Sequence, residues 1–128
     1  MKLQQLNKQV YISDQISTMD INTLKNVGVQ TIINNRPDNE EANQPLSKDI
    51  SVHAANVNIE YYFLPIASGD YSTDSIEQLT ELLNTTIKPV VIFCRTGNRS
   101  INLWALSQSS IFGKKHVLAM AKKIGFDI

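Results

Sequence analysis

The chain has 128 residues, a length suited to one domain, and its 42% hydrophobic share is enough for a single modest core. Lysines and arginines number 12 and so do aspartates and glutamates, so no net field draws the protein to nucleic acid or to an acidic membrane. The longest apolar stretch, Val90-Val91-Ile92-Phe93-Cys94, is far short of the roughly 20 residues of a spanning helix, and Met1 to Lys8 lacks a signal peptide's apolar core, so a cytoplasmic location is expected.

The first predicted strand is Val10 to Ser13, rich in β-branched and aromatic residues. A helix should start near Ser17 or Thr18, turn Ile21, Leu24 and Val27 inward, and stop at Gly28 in a left-handed cap. Thr31 to Asn34 reads as the second strand. The run from Arg36 to Pro45 has no apolar period and reads as a surface loop. A helix with Ser47 as N-cap then carries Ile50, Ala54 and Ala55 toward Asn56.

Tyr61 to Ile66 is the third strand. After it, Ser72 or Thr73 caps a helix with Asp74 and Glu77 near its positive end and Ile76, Leu79, Leu82 and Leu83 as an apolar stripe. Pro89 closes the connection to the fourth strand, Val90 to Cys94. Two helices follow, Arg99 to about Gln108 and about Gly113 to Ile124, the second turning Val117, Met120, Ala121 and Ile124 inward before Gly125. Strands alternating with helices predict a single α/β domain with about four strands in a mostly parallel sheet flanked by helices.

Chemistry concentrates in one place. In an open parallel sheet, ligands collect beyond the carboxyl ends of the strands, which is where Cys94 stands. Gly97 permits a positive φ, so the loop Arg95-Thr96-Gly97-Asn98-Arg99-Ser100 can curl its backbone N–H groups around one point and aim a helix N-terminus at it. That cradle, flanked by Arg95 and Arg99, binds anions and favours thiolate over thiol at Cys94. The Arg99 fork suits two oxygens of a tetrahedral anion, and the Ser100 hydroxyl is available for a further hydrogen bond. A lone cysteine forms no internal disulfide, and His53 and His116 are widely separated, so neither a metal nor a cofactor is expected.

The segments Ile32 to Glu41, Leu64-Pro65-Ile66, and Cys94-Arg95-Thr96-Gly97-Asn98-Arg99-Ser100 with Leu103-Trp104-Ala105-Leu106 after it carry a resemblance over roughly residues 5 to 110. In them the chain resembles the phosphatase-like domain of the beta-lactamase-hydrolase-like proteins, a bacterial family with a dual-specificity-phosphatase type of fold. The resemblance implies a four-stranded parallel sheet, a cysteine nucleophile at Cys94 and an anion-gripping arginine at Arg99. Two features depart from phosphatase practice. Four residues, not five, separate Cys94 from Arg99, a loop similar to that of single-domain rhodaneses, and Phe93 stands where many phosphatases carry a histidine. Relatives in the family are sometimes joined to a metallo-hydrolase domain that handles sulfur compounds, which favours sulfur transfer and leaves room for a sulfur-handling enzyme as partner.

Three readings stay open on the sequence. A phosphatase would use Cys94 to attack phosphorus, Arg99 and the loop amides to hold oxygens, and an acid for the leaving group, for which Asp70 after the third strand is the candidate. A rhodanese-type sulfurtransferase would carry a Cys94 persulfide and take a sulfane-sulfur donor in place of a phosphoester. A binding module would keep the cradle without turnover. Arg36 either adds positive charge above the cradle or pairs with Glu40 or Glu41. Asn34 and Asn35 are expected to orient their loop, and His53, His116, Trp104, Tyr61 and Tyr62 to serve packing or surface.

Overall fold

Valines and isoleucines at successive positions of the central strands point to opposite sides and so build a core on each face of one sheet. The computed structural model describes residues 1–128. Five strands, β1 (Leu3–Gln5), β2 (Val10–Ser13), β3 (Thr31–Asn34), β4 (Glu60–Phe63) and β5 (Val90–Phe93), form a sheet in the order β1-β2-β5-β3-β4. β5 lies in parallel between β2 and β3, with Ile92 opposite Ile12 on one side and Ile33 on the other. The four predicted strands are the parallel part of the sheet. The fifth, β1, is an antiparallel edge laid along β2.

Strand side chains point alternately to opposite faces. Val90 and Ile92 therefore join Val10, Ile12 and Ile33 in one core, under Leu79, Ile101, Trp104, Val117 and Ala121. Val91 and Phe93 join Ile32 in the other, under Ile21, Leu24, Ile50 and Ala54. The helices that supply these lids are α1 (Asp20–Val27) and α2 (Ser47–Asn56) on one face, and α3 (Thr73–Thr85), α4 (Asn98–Phe112) and α5 (Lys114–Lys123) on the other.

Local chemistry sets the boundaries. Ser17 and Asp20 exchange bonds before α1, the Asp20 N–H reaching Ser17 Oγ at 3.2 Å and the Ser17 N–H reaching Asp20 Oδ2 at 2.7 Å. Gly28, at φ 104°, ends the helix as expected. Val27 does not turn inward: it is 45% exposed, because six residues on from Ile21 it has rotated about 120° round the helix. Ala55 is likewise exposed, beside the buried Ala54.

Ser47 is the first residue of α2 and not its cap, and its N–H is received by Asp38 Oδ1 at 2.8 Å. Ser72 Oγ caps α3 by accepting the Ser75 N–H. β4 is shorter than predicted because its pairing with β3 loses register beyond Leu64, and Pro65, whose place in the alternation faces the open edge of the sheet, costs the ladder no bond. On either side of it, Leu64 and Ile66 still donate to the carbonyls of Asn34 and Asn35 at the end of β3. No helix is long and apolar enough to cross a membrane.

Candidate active site

β5 is apolar through Phe93 and delivers Cys94 to the carboxyl end of the sheet, where the chain turns directly into α4. Cys94 is 1% exposed. Gly97 makes the turn: it holds φ 93°, caps α4, and points its N–H at Cys94 Sγ, 3.1 Å away. The first-turn amides of α4, Asn98, Arg99 and Ser100, have no carbonyl one turn earlier within the helix, so the positive end of the helix opens on the loop. The Asn98 N–H is turned toward Thr96 Oγ1 at 3.3 Å.

Above the loop lies a cleft of about 380 Å³ lined by Arg36, Glu40, Glu41, Ser68, Arg95, Thr96, Asn98 and Arg99, none of them hydrophobic. Its arginines are held by its glutamates. Arg99 Nη1 and Nη2 donate to Glu40 Oε2 and Oε1, each at 2.8 Å, and Nη1 also donates to the Ile66 carbonyl at 3.0 Å. Arg36 Nε donates to the same Glu40 Oε1 at 2.9 Å, its Nη2 to Glu41 Oε1 at 2.7 Å, and its Nη1 to Gln15 Oε1 at 3.0 Å. Arg95 Nε completes the set on Glu41 Oε1 at 2.8 Å. With Arg95 61% exposed, this last pair contributes little.

The charges act on one another. The Glu40 carboxyl is held down to about 2, foremost by its hydrogen bonds from Arg99 and then by the one from Arg36, against the opposing effect of burial. Arg99 is raised in turn, first by Glu40 and to a lesser degree by the nearby Cys94 sulfur. The Tyr71 phenol is pushed up, chiefly by burial and then by the same sulfur.

The loop is underpinned by Asn35. Its Oδ1 accepts the Ser100 hydroxyl at 2.9 Å, its Nδ2 donates to the Leu64 carbonyl at 2.9 Å, and its own N–H donates to the Phe93 carbonyl. Asn34 Oδ1 accepts the Arg36 N–H and its Nδ2 reaches the Tyr61 hydroxyl. Both asparagines thus fasten the second loop to the first.

Of the residues singled out in the sequence, Cys94, Arg95, Thr96, Gly97, Asn98 and Arg99 stand together at the cleft or directly beneath it. Ser100 is placed differently, with its hydroxyl proton given to Asn35 and not to the thiol. Arg36 reaches the cleft, but its guanidinium is taken up by Gln15, Glu40 and Glu41, the pairing that was one of its two readings. Asp70 is exposed in the turn after β4, off the cleft wall, although Ser68 of the same turn lines it. His53 lies against the Asp49 carbonyl and His116 against the Phe112 ring, neither at the cleft. The sequence reading named Glu40 and Glu41 only as partners of Arg36 and did not single out Ser68, and all three line the cleft. No group of three or more His, Cys, Asp or Glu side chains converges to hold a metal.

The family model described as the phosphatase-like domain of beta-lactamase hydrolase-like protein matches residues 2–111. Beta-lactamase hydrolase-like protein of Xylella fastidiosa is 30% identical over 130 aligned positions, and that of Agrobacterium fabrum 26%. Each alignment covers 100% of this chain and 30% of the relative, so the chain spans about 30% of the length of the curated relatives it matches. Among solved structures, a candidate phosphatase from Neisseria meningitidis superposes with a TM-score of 0.88 at 27% identity, covering 99% of this chain and 91% of the other. P. aeruginosa TpbA in complex with pTyr shares the fold, with a TM-score of 0.70 at 15% identity over 92% of this chain and 70% of that one.

Proposed function

Because this chain belongs to the phosphatase-like domain family of the beta-lactamase hydrolase-like proteins, we propose that it is a cysteine-dependent hydrolase of small phosphoesters. The observation that carries the reading is the strand-to-helix turn itself, in which a buried Cys94 sulfur receives the Gly97 N–H at 3.1 Å and lies beside the Arg99 guanidinium. In this reaction the Cys94 thiolate attacks phosphorus, the S–P bond forms as the ester P–O bond breaks, and the oxyanion leaves with a proton from an acid. Water then cleaves the S–P bond, releasing inorganic phosphate and restoring the thiolate. Arg99 and the first-turn amides of α4 hold the non-bridging oxygens throughout.

The acid on this reading is Asp70, which is exposed and carries no ion pair two residues beyond Ser68 on the cleft wall. The test is intact-protein mass spectrometry of the native chain and of Cys94→Ser after brief exposure to an aryl phosphate, with phosphate release measured in parallel. A phosphoryl-sized adduct and turnover, both lost in Cys94→Ser, are expected. Gain of one sulfur atom from thiosulfate, with no phosphoryl adduct, would replace this reading with sulfur transfer. Asp70→Asn should slow esters with poor leaving groups more than those with good ones; equal rates across the series would remove Asp70 from the acid role.

A further inference from the structure

A guanidinium has five N–H groups arranged as two usable edges, one between its terminal nitrogens and one between Nε and Nη2. On Arg99 three of the five are engaged: both terminal nitrogens face Glu40, and the second hydrogen of Nη1 faces the Ile66 carbonyl. The Nε–H and the remaining Nη2 hydrogen, which form the other edge of the fork, meet no protein oxygen, and the Cys94 sulfur is the remaining neighbour that acts on the guanidinium. A carboxylate competing with substrate would be seated on the edge that substrate needs. Glu40 is seated on the opposite edge and is itself held from behind by Arg36 Nε at 2.9 Å.

Resting on the phosphatase reading, we propose that Glu40 is a positioning residue that clamps Arg99 so that its Nε/Nη2 edge faces the anion above Cys94. Arg36 acts one step further out, fixing the clamp without touching the substrate. The Ile66 carbonyl alone, with one hydrogen bond, leaves the guanidinium free to swing about that contact. The positioning therefore depends on the two-point grip of the carboxylate, and an isosteric amide, which offers an N–H to a donor-only partner, cannot reproduce it.

The test uses the whole chain and two readouts. In Cys94→Ser, the Arg99 Nε–H cross-peak is followed by NMR during titration with inorganic phosphate, with and without Glu40→Gln. The expected result is a shift of that peak on phosphate addition in Cys94→Ser and its loss, with weaker phosphate binding, once Glu40→Gln is added. In the enzyme with Cys94 intact, Glu40→Gln should lower kcat on the order of 100-fold while KM moves much less, as expected when a group binding the reacting centre is displaced by about 1 Å. Glu41→Gln, which touches Arg36 and Arg95 but not Arg99, should fall short of that loss.

Thermal melting of each variant separates loss of fold from loss of position. Tighter phosphate binding in the Glu40→Gln background would show a competitor and overturn the proposal. So would an unmoved Arg99 peak in Cys94→Ser alone, or one that still responds to phosphate after Glu40→Gln. Absence of turnover in the native chain would remove the phosphatase reading, while the phosphate titration would still decide the positioning.

Discussion

Gly97 lies so close beneath the ring of Phe126 that a Cβ built on it would stand 2.9 Å from Phe126 Cζ, and 3.3 Å from Ile12 Cγ2. Two independent demands thus meet at one glycine. Its φ of 93° is costly for any side chain, and the packed ring leaves no room for one. Phe126, tied back by its N–H to the Ala121 carbonyl, thus forms part of the wall behind the loop that follows Cys94.

Gly97→Ala should therefore cost about 1–3 kcal/mol of stability through backbone strain and overpacking together. Phe126→Ala removes the clash but not the strain, so the double variant should be more stable than the sum of the single losses predicts, by roughly 0.5 kcal/mol or more. Urea denaturation of the three variants measures this. Strictly additive losses would mean that the left-handed backbone alone excludes a side chain there.

The grip on Glu40 makes stability depend on pH in a definite direction. Its carboxyl is held down to about 2, foremost by Arg99, so the unfolded chain binds the proton more readily than the folded one. The contribution is complete above the ordinary carboxyl value near 4.5 and disappears as pH falls toward 2. The stability difference between the native chain and Glu40→Gln should accordingly be constant above about pH 5 and shrink below it. At 29% side-chain exposure the pair is partly screened, so added salt should reduce the difference at neutral pH. A gap that does not change between pH 5 and pH 2.5 would refute the assignment.

What the sequence disclosed follows how local each signal is. Cys94, Gly97 and Arg99 lie within one turn of chain, and their convergence was legible because the backbone joins them directly. Glu40 reaches Arg99 across a separation of 59 residues, and nothing in the polar run from Arg36 to Pro45 distinguishes a clamp from a solvated loop. The same contrast holds in the fold. β2, β3 and β5 announce themselves in β-branched residues, whereas β1 is three residues, Leu3-Gln4-Gln5, that are strand only because β2 offers an open edge. Gln4 is fixed further by a side-chain bond to the Ile124 carbonyl, a partner 120 residues away.

Asn35 and Ser100 provide a third test, because both are fully buried and joined by one hydrogen bond. Ser100→Ala leaves one acceptor on Asn35 without its donor, at a cost of about 1–3 kcal/mol. Asn35→Ala strands the Leu64 carbonyl as well as the Ser100 hydroxyl and should cost more. Asn35→Asp should be worst, since it sets an oxygen against the Leu64 carbonyl and buries a charge. Denaturation midpoints in any other order would show that the bond between the two loops is not what holds them.

Arg36 offers the last and most discriminating substitution. Its side chain is about 4% exposed and meets three separate acceptors, Gln15, Glu40 and Glu41, one from each of its three nitrogens. Removing one partner of a buried ion pair commonly costs about 3–5 kcal/mol, but Glu40 and Glu41 reach water and can rehydrate, so Arg36→Met should lie nearer 1–3 kcal/mol. Lysine keeps the charge yet is a single point on a flexible stem, and it cannot span three acceptors set around a planar fork. Arg36→Lys should thus resemble Arg36→Met in stability and in its loss of kcat, because in both Glu40 loses its rear support. A lysine variant indistinguishable from the native chain would mean that Arg36 supplies charge alone, and that the planar geometry of its side chain is dispensable for holding Glu40 on Arg99.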